Sequence, residues 1–407
     1  MTENMEKLHL RPGHTLAACF VGYITQAIIN NFAPLLFVTF NTTYGISLTL
    51  IGAMITINFG VQLLVDLLAA RFVDKIGYRP CIVAAHLFSC GGLVLLAVLP
   101  ETLVSPAVGL FIASAIYAVG GGLIEVLISP IVEACPYQNK KSVMSLLHSF
   151  YCWGQVGVVA LSTLYFVLAG IENWAILAVV WAAVPLCNAV LFLFVPLYPL
   201  VEEGEKSEKL GSLFRSGAFW FFVVLMICSG SCEQAVSQWA SAFAESGLGV
   251  SKTWGDLLGP CMFAVMMGVS RVVFSKSGEK LKIHTALLIA ALCCIVGYVL
   301  CAFSPFAWLG LIGCGIVGLS VGIMWPGTFS FASARMPRGG TALFAMLAFA
   351  GDIGCMAGPS AVGAISDAFA GDLHIGIAFG LVFPVLMAVV LLAYRAKKHE
   401  PQLLRQK

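Results

Sequence analysis

Asp66, Glu125, Glu233 and Asp352 stand inside long apolar runs of the chain. An ionised side chain near the centre of a bilayer costs several kcal/mol, so an acid there is usually functional or paired. Glu125 lies about two helical turns from Glu133, which marks the polar end of the same run. Desolvation at that depth disfavours the charged carboxyl, so the side chain can load and release a proton. Glu125 is therefore the first candidate for proton coupling. Glu233 shares an i, i+4, i+8 stripe with Ser229 and Ser237 and can take the same role or accept from solute hydroxyls. Asp352 sits in Ala350-Gly351-Asp352-Ile353-Gly354, where small neighbours permit close helix packing as well as solute contact. Asp66 forms a stripe with Asn58 and Gln62, about one turn from Arg71, and is placed for gating contacts.

Neutral polar side chains are also costly in lipid and turn toward a cavity or another helix. Gln26, Asn30 and Asn31 fall in one run, His148, Tyr151 and Gln155 in another at i, i+3, i+7, and Gln234 and Gln238 in a third. Trp153, Trp239 and Trp325 add aromatic faces suited to the C–H face of a sugar ring. Arg271 is the deepest basic residue, and it lies toward one end of its run. A carrier of phosphate esters or dicarboxylates needs a cationic pocket, so the pattern predicts a neutral or cationic solute.

These residues are carried by a chain of 407 residues that is 60% hydrophobic and 10% charged. Soluble domains carry about 25% charged residues. So apolar a surface requires lipid as solvent, and a net charge of +2 gives nucleic acid no purchase. A bilayer-spanning helix needs about 20 apolar residues. By that measure there are twelve spans: 14–40, 47–70, 80–99, 104–132, 142–169, 173–197, 217–243, 254–275, 283–303, 306–334, 340–366 and 374–395. The break between the ninth and tenth is the thinnest, at Ser304-Pro305. The first run is too long for a signal-peptide core and reads as an anchor that stays. The fourteen cysteines fall mostly in apolar runs without metal-ligand spacing, which predicts packing roles and no metal or other cofactor. With the N-terminus inside, Lys252 alone of the 22 Lys and Arg residues falls outside. Basic residues stay on the cytoplasmic side, so both termini are expected in the cytoplasm of a cell (inner) membrane protein.

The two halves match at an offset near 200. Gly120-Gly121-Gly122 through Pro130 corresponds to Gly318 through Pro326, and Gly154 and Gly157 correspond to Gly354 and Gly358. This predicts two pseudo-symmetric six-helix bundles, 1–197 and 217–407, joined by a charged cytoplasmic linker, 198–216. Such halves fit a transporter with its site at the repeat interface.

The segment Ala70-Arg71-Phe72-Val73-Asp74-Lys75-Ile76-Gly77-Tyr78-Arg79 resembles the signature loop of the major facilitator superfamily between helices 2 and 3. Ala70 stands in place of its first glycine and Tyr78 in place of one basic residue. The resemblance implies that Asp74 and the basic residues latch the cytoplasmic side, with Gly77 supplying a tight turn. Asp66, Arg71, Asp74, Gly77, Arg79 and Arg271 are the gating candidates. Further motifs resemble the fucose-permease-like sugar/proton symporters: Gly122 through Pro130 with Glu125, Leu146-Leu147-His148-Ser149-Phe150, Gly230-Ser231-Cys232-Glu233 with Trp239, and Gly322 through Pro326. Asn30-Asn31-Phe32-Ala33-Pro34 lacks the acid found there in the fucose permease, which points away from fucose itself and from a two-acid relay. The superfamily lines its cavity with spans 1, 4, 5, 7, 10 and 11. The resemblance thus makes Gln26, Asn30, Asn31, His148, Tyr151, Gln155, Gln234, Gln238, Trp239, Trp325 and Asp352 the solute-binding candidates.

The expectation is an all-α polytopic membrane protein of the major facilitator fold, a monomer in lipid, moving a sugar or other neutral polar solute with a proton, or sodium, by alternating access. The alternative is a proton-driven drug or metabolite efflux antiporter. Such antiporters carry a Gly-Pro-rich fifth span, whereas Trp153-Gly154-Gln155-Val156-Gly157 has no proline. No HExxH, P-loop or sizeable soluble domain is present, so an enzyme is not expected.

Overall fold

The computed structural model describes residues 11–137, 140–198, 213–277, 282–336 and 340–403. Among them, twelve helices are long and apolar enough to cross a membrane. They are α1 (Pro12–Tyr44), α2 (Leu48–Leu68), α3 (Tyr78–Thr102), α4 (Pro106–Ala134), α5 (Leu146–Ala169), α6 (Ile171–Phe194), α7 (Gly217–Ser237), α8 (Lys252–Phe274), α9 (Ile283–Phe303), α10 (Ala307–Arg335), α11 (Met346–Ala368) and α12 (Leu373–Tyr394). Lipid offers backbone groups no partners, and a helix satisfies them within one segment. The thin break between α9 and α10 holds because Pro305 cannot continue a helix and the Ser304 hydroxyl accepts from the Phe306 N–H at 3.2 Å.

Prolines and glycines set the other interruptions. Within α1 the α-helix Pro12–Asn31 passes into a 3-10 turn, Ala33–Leu36, before helix resumes at Phe37–Tyr44. Pro34 has no N–H to give the Asn30 carbonyl, so the turn tightens there. Helical backbone continues past α2 to Ile76, and Gly77 turns the chain into α3 at φ 97. The side chains of Arg71 and Asp74 lie outside the described residues. Arg79 corrects one expectation. Its guanidinium donates to the carbonyls of Phe192 (2.6 Å), Leu193 (2.8 Å) and Val195 (2.9 Å). Those are the unpaired carbonyls at the end of α6, so Arg79 caps a helix within its own half instead of latching a gate.

The chain divides into two units, Met1–Ile46 with Ala53–Glu203, and Ser47–Gly52 with Gly204–Lys407. Each is packed through the same small residues. A Cβ on Gly122 would lie 2.9 Å from the Gln62 carbonyl oxygen of α2, and one on Gly322 would lie 2.7 Å from that of Met267 in α8. A Cβ on Gly154 would meet Ala27 of α1 at 3.0 Å, and one on Gly354 would meet the Ile227 carbonyl of α7 at 2.1 Å. Thus α4 lies on α2 as α10 lies on α8, and α5 on α1 as α11 on α7. The repeat seen in the glycine spacing is a repeat of helix contacts. All fourteen cysteines are free thiols, most of them buried.

Candidate functional site

In the first unit, Glu125 meets a chain of buried amides. Gln26 Nε2 donates to Glu125 Oε2 at 3.1 Å and to Gln62 Oε1 at 2.9 Å. Gln62 Nε2 donates in turn to Asn30 Oδ1 and to Asn58 Oδ1, each at 3.0 Å, and Asn58 Nδ2 donates to Asn30 Oδ1 at 3.0 Å. The four amides are only 4–5% exposed, whereas Glu125 is exposed. The chain runs from α4 through α1 to α2. The stripe Asn58, Gln62, Asp66 therefore serves the interior at two of its members, and Asp66, half-buried one turn further on, stands at its edge.

A second polar group lies one turn along the same helices. The Tyr23 hydroxyl is 3.2 Å from Ser129 Oγ and 3.3 Å from His148 Nδ1, with the Tyr23 and His148 rings 5.3 Å apart. Phe20 stacks on Phe150 at 4.0 Å and closes one side. Asn31 donates to the Ala27 carbonyl at 3.0 Å and to the Tyr151 hydroxyl at 3.5 Å, and Gln155 is buried on the same helix as Tyr151. The sequence reading missed Tyr23 and Ser129. Their signal is positional: Tyr23 is one turn from Gln26, and Ser129 one turn from Glu125.

In the second unit, Gln234 Nε2 donates to Glu233 Oε1 at 3.2 Å, and Gln238 Nε2 donates to Gln234 Oε1 at 3.1 Å. The helical backbone continues beyond α7 through a break at Gln238–Trp239 to a π-helical turn, Phe243–Gly247. Glu233 thus lies near the middle of that helical run. The charge of Arg271 acts on Glu233. Trp239 corrects another expectation. Its ring is fully buried and its indole N–H donates to the Pro359 carbonyl at 2.9 Å, so it packs α7 on α11 and offers no open face. Trp325 is half-buried, laid across Gly351, where any Cβ would come within 2.3 Å of the ring. Asp352, the next residue of α11, is half-buried. At the start of α8, Lys252 bonds to Asp256 at 2.9 Å and approaches Glu245 of the preceding segment at 3.8 Å. Burial pushes the Glu245 carboxyl above its ordinary value, Lys252 opposes this, and Asp256 adds to it.

Twelve helices long and apolar enough to cross a membrane, among the described residues, define a multi-pass membrane protein. The Major Facilitator Superfamily family model matches residues 15–359, and the chain belongs to that superfamily. It is a transporter and not an enzyme. It is similar to the membrane protein MosC of Rhizobium meliloti, with 22% identity over 398 residues, 95% of this chain and 91% of that protein. Among solved structures it is similar in fold to the nucleoside transporter NupG, with TM-score 0.72 and 13% identity over 93% of this chain and 99% of that one. It is similar also to the E. coli fucose:proton symporter FucP, with TM-score 0.63 and 17% identity over 92% of this chain and 97% of that one.

Proposed function

We propose that the protein is a proton-coupled symporter of a sugar or other neutral, hydroxyl-bearing solute, working by alternating access in the cell inner membrane with both termini cytoplasmic. The observation that carries the reading is Glu125: an acid at mid-helix, open on one side, hydrogen-bonded on the other to a buried neutral amide. Such a carboxyl can exist charged or neutral, accepting in one form and donating in the other. The hydroxyl and imidazole of Tyr23, Ser129 and His148 lie one turn away and suit a solute with O–H groups. In the second unit Glu233, Gln234 and Gln238 supply further acceptors and donors, and half-buried Trp325 supplies an aromatic face. The positive charge of Arg271 acts on Glu233, an acid of the same unit. The fold likeness to a fucose:proton symporter and a nucleoside transporter supports a neutral polar solute.

The test is solute uptake into proteoliposomes with an internal pH probe, over a panel of sugars, nucleosides and lipophilic cations. Sugar- or nucleoside-driven proton entry that disappears in Glu125→Gln supports the reading. Proton entry with unchanged pH dependence in that variant removes Glu125 from coupling. Movement of lipophilic cations alone replaces symport with efflux.

A further inference from the structure

The amide chain behind Glu125 has a direction, and one atom in it is left over. Every amide N–H bond drawn from Gln26 and Gln62 points away from Gln26: to Glu125 on one side, and through Gln62 to Asn30 and Asn58 on the other. The price of that polarity is Gln26 Oε1, a carbonyl oxygen buried with no hydrogen-bond partner. A buried acceptor left unsatisfied costs on the order of the hydrogen bond it lacks. The arrangement suits a charged Glu125, which can only accept.

A protonated Glu125 reverses the demand, because a carboxylic acid carries an O–H that must donate. If the Gln26 amide turns half a revolution, Oε1 faces both Glu125 and Gln62. It then accepts the carboxyl proton's hydrogen bond, and Gln62 must turn too, because two carbonyl oxygens would otherwise face each other. Gln62 Nε2 then donates to Gln26 Oε1, and its own oxygen faces Asn30 and Asn58, whose amides turn to donate. No covalent bond is made or broken and no proton leaves Glu125 in this step. The hydrogen bonds are the same in kind, with donor and acceptor exchanged along the line. Resting on the proton role proposed for Glu125, we infer that Gln26, Gln62, Asn30 and Asn58 form a reversible amide relay, with Gln62 as the positioning residue that carries the protonation state of Glu125 from α4 across α1 to α2.

The relay ends at a mechanical weak point. Asn30 precedes the 3-10 turn at Ala33–Leu36, and its carbonyl is the one Pro34 cannot serve. Reversal of the Asn30 side chain therefore acts where α1 is least braced by its own backbone. Other titratable groups on the packed helices include Tyr23 on α1, Asp66 on α2, Glu133 on α4, and His148 and Tyr151 on α5. Tyr23 and His148 bond to each other, and Asp66 lies one turn beyond Gln62. His86 of α3 is turned to Asn188 and the Ile82 carbonyl.

The experiment is infrared difference spectroscopy of the full-length protein in lipid, with glutamine labelled by carbon-13 at the side-chain carbonyl, titrated across the pH range of uptake. The wild type is expected to give a glutamine carbonyl shift with the same midpoint as the Glu125 carboxyl band, and Glu125→Gln to abolish both. In Gln62→Leu the carboxyl band remains and the share of the glutamine shift that belongs to Gln62 is lost. The part of the glutamine shift that remains is that of Gln26, which is then free to turn alone, so protonation no longer has to reverse the chain. The uptake midpoint accordingly rises by on the order of one pH unit. A carboxyl band that titrates while the wild-type glutamine band stays still overturns the relay and leaves the proton role standing. An unshifted uptake midpoint in folded Gln62→Leu also overturns it. Absence of any Glu125 band strikes the proton role itself, and the relay with it.

Discussion

Glu125 and Glu233 are held in similar ways but not against the same background. Each accepts from a glutamine amide, Gln26 and Gln234 respectively, and an amide can serve a carboxyl in either protonation state. Arg271 adds a fixed positive charge to the surroundings of Glu233, whereas Glu125 is bonded to a neutral partner. On the roles proposed above, Glu125 titrates and Glu233 holds the solute. Glu233→Gln is expected to keep the pH dependence of transport and to lose roughly 1.5–3 kcal/mol of stabilisation at its site, read as at least a tenfold weaker solute affinity. An unchanged affinity together with a flattened pH profile would exchange the two roles. Glu125, Gln26 and Asn30 could be read from the sequence because polar groups in apolar runs are conspicuous. Gln62 and Asn58 were visible as a stripe, but their partners lie on another helix and no local spacing names them. Tyr23 and Ser129 were lost because hydroxyls are unremarkable in a membrane helix. Trp239 misled for the opposite reason: composition reveals a large ring without saying whether it is covered.

At the scale of the helices, close packing makes sharply unequal demands on glycines that look alike in sequence. Gly354 and Gly157 both belong to the small-residue pattern of the fifth and eleventh spans. A Cβ on Gly354 would meet the Ile227 carbonyl at 2.1 Å, while one on Gly157 would meet nothing within 4 Å. Gly354→Ala must push α11 from α7 and is expected to cost about 1–3 kcal/mol. Gly157→Ala should be neutral or slightly stabilising, because alanine is the better helix former. Thermal unfolding of the two purified variants side by side decides it, and equal melting temperatures would refute the close contact. Glu245, in the segment joining α7 to α8, gives the fold a pH-dependent contribution. Burial raises the Glu245 carboxyl above its ordinary value, so the folded state binds this proton more tightly than the unfolded chain. That contribution to stability is complete below the unfolded value and is lost as pH rises through the folded one. Glu245→Gln is expected to be the more stable protein at neutral pH and to lose the part of the acid-side stabilisation that wild type shows. A wild type that melts at the same temperature throughout that window would count against it.

For the whole molecule, span count and direction come from different physics, and they reinforce one another. The count follows from run length against bilayer thickness, and it was legible because lipid admits few alternatives to a helix of about 20 residues. The ends of the helices were less legible, since lipid-facing apolar residues continue without a mark into the helical extensions beyond α2 and α7. Direction follows from Lys and Arg. Each helix reverses the side, so a single wrong span before Lys140 would put all the later basic residues on the face opposite the earlier ones. They stay together with twelve helices, and Lys252 is the exception with a local cause: it neutralises Asp256, which is buried, and Glu245. A lysine tied to two carboxylates carries little of the free positive charge that biases orientation. Ser251 and Arg215, both exposed, flank α8 and α7 on what should be opposite faces of the membrane. Ser251→Cys is expected to react with a membrane-impermeant maleimide in intact cells, over the background of the native cysteines. Arg215→Cys should react only after the membrane is opened. The inverse pattern would turn the whole chain over, and labelling of both in intact cells would break the count between them, because α7 alone separates the two positions.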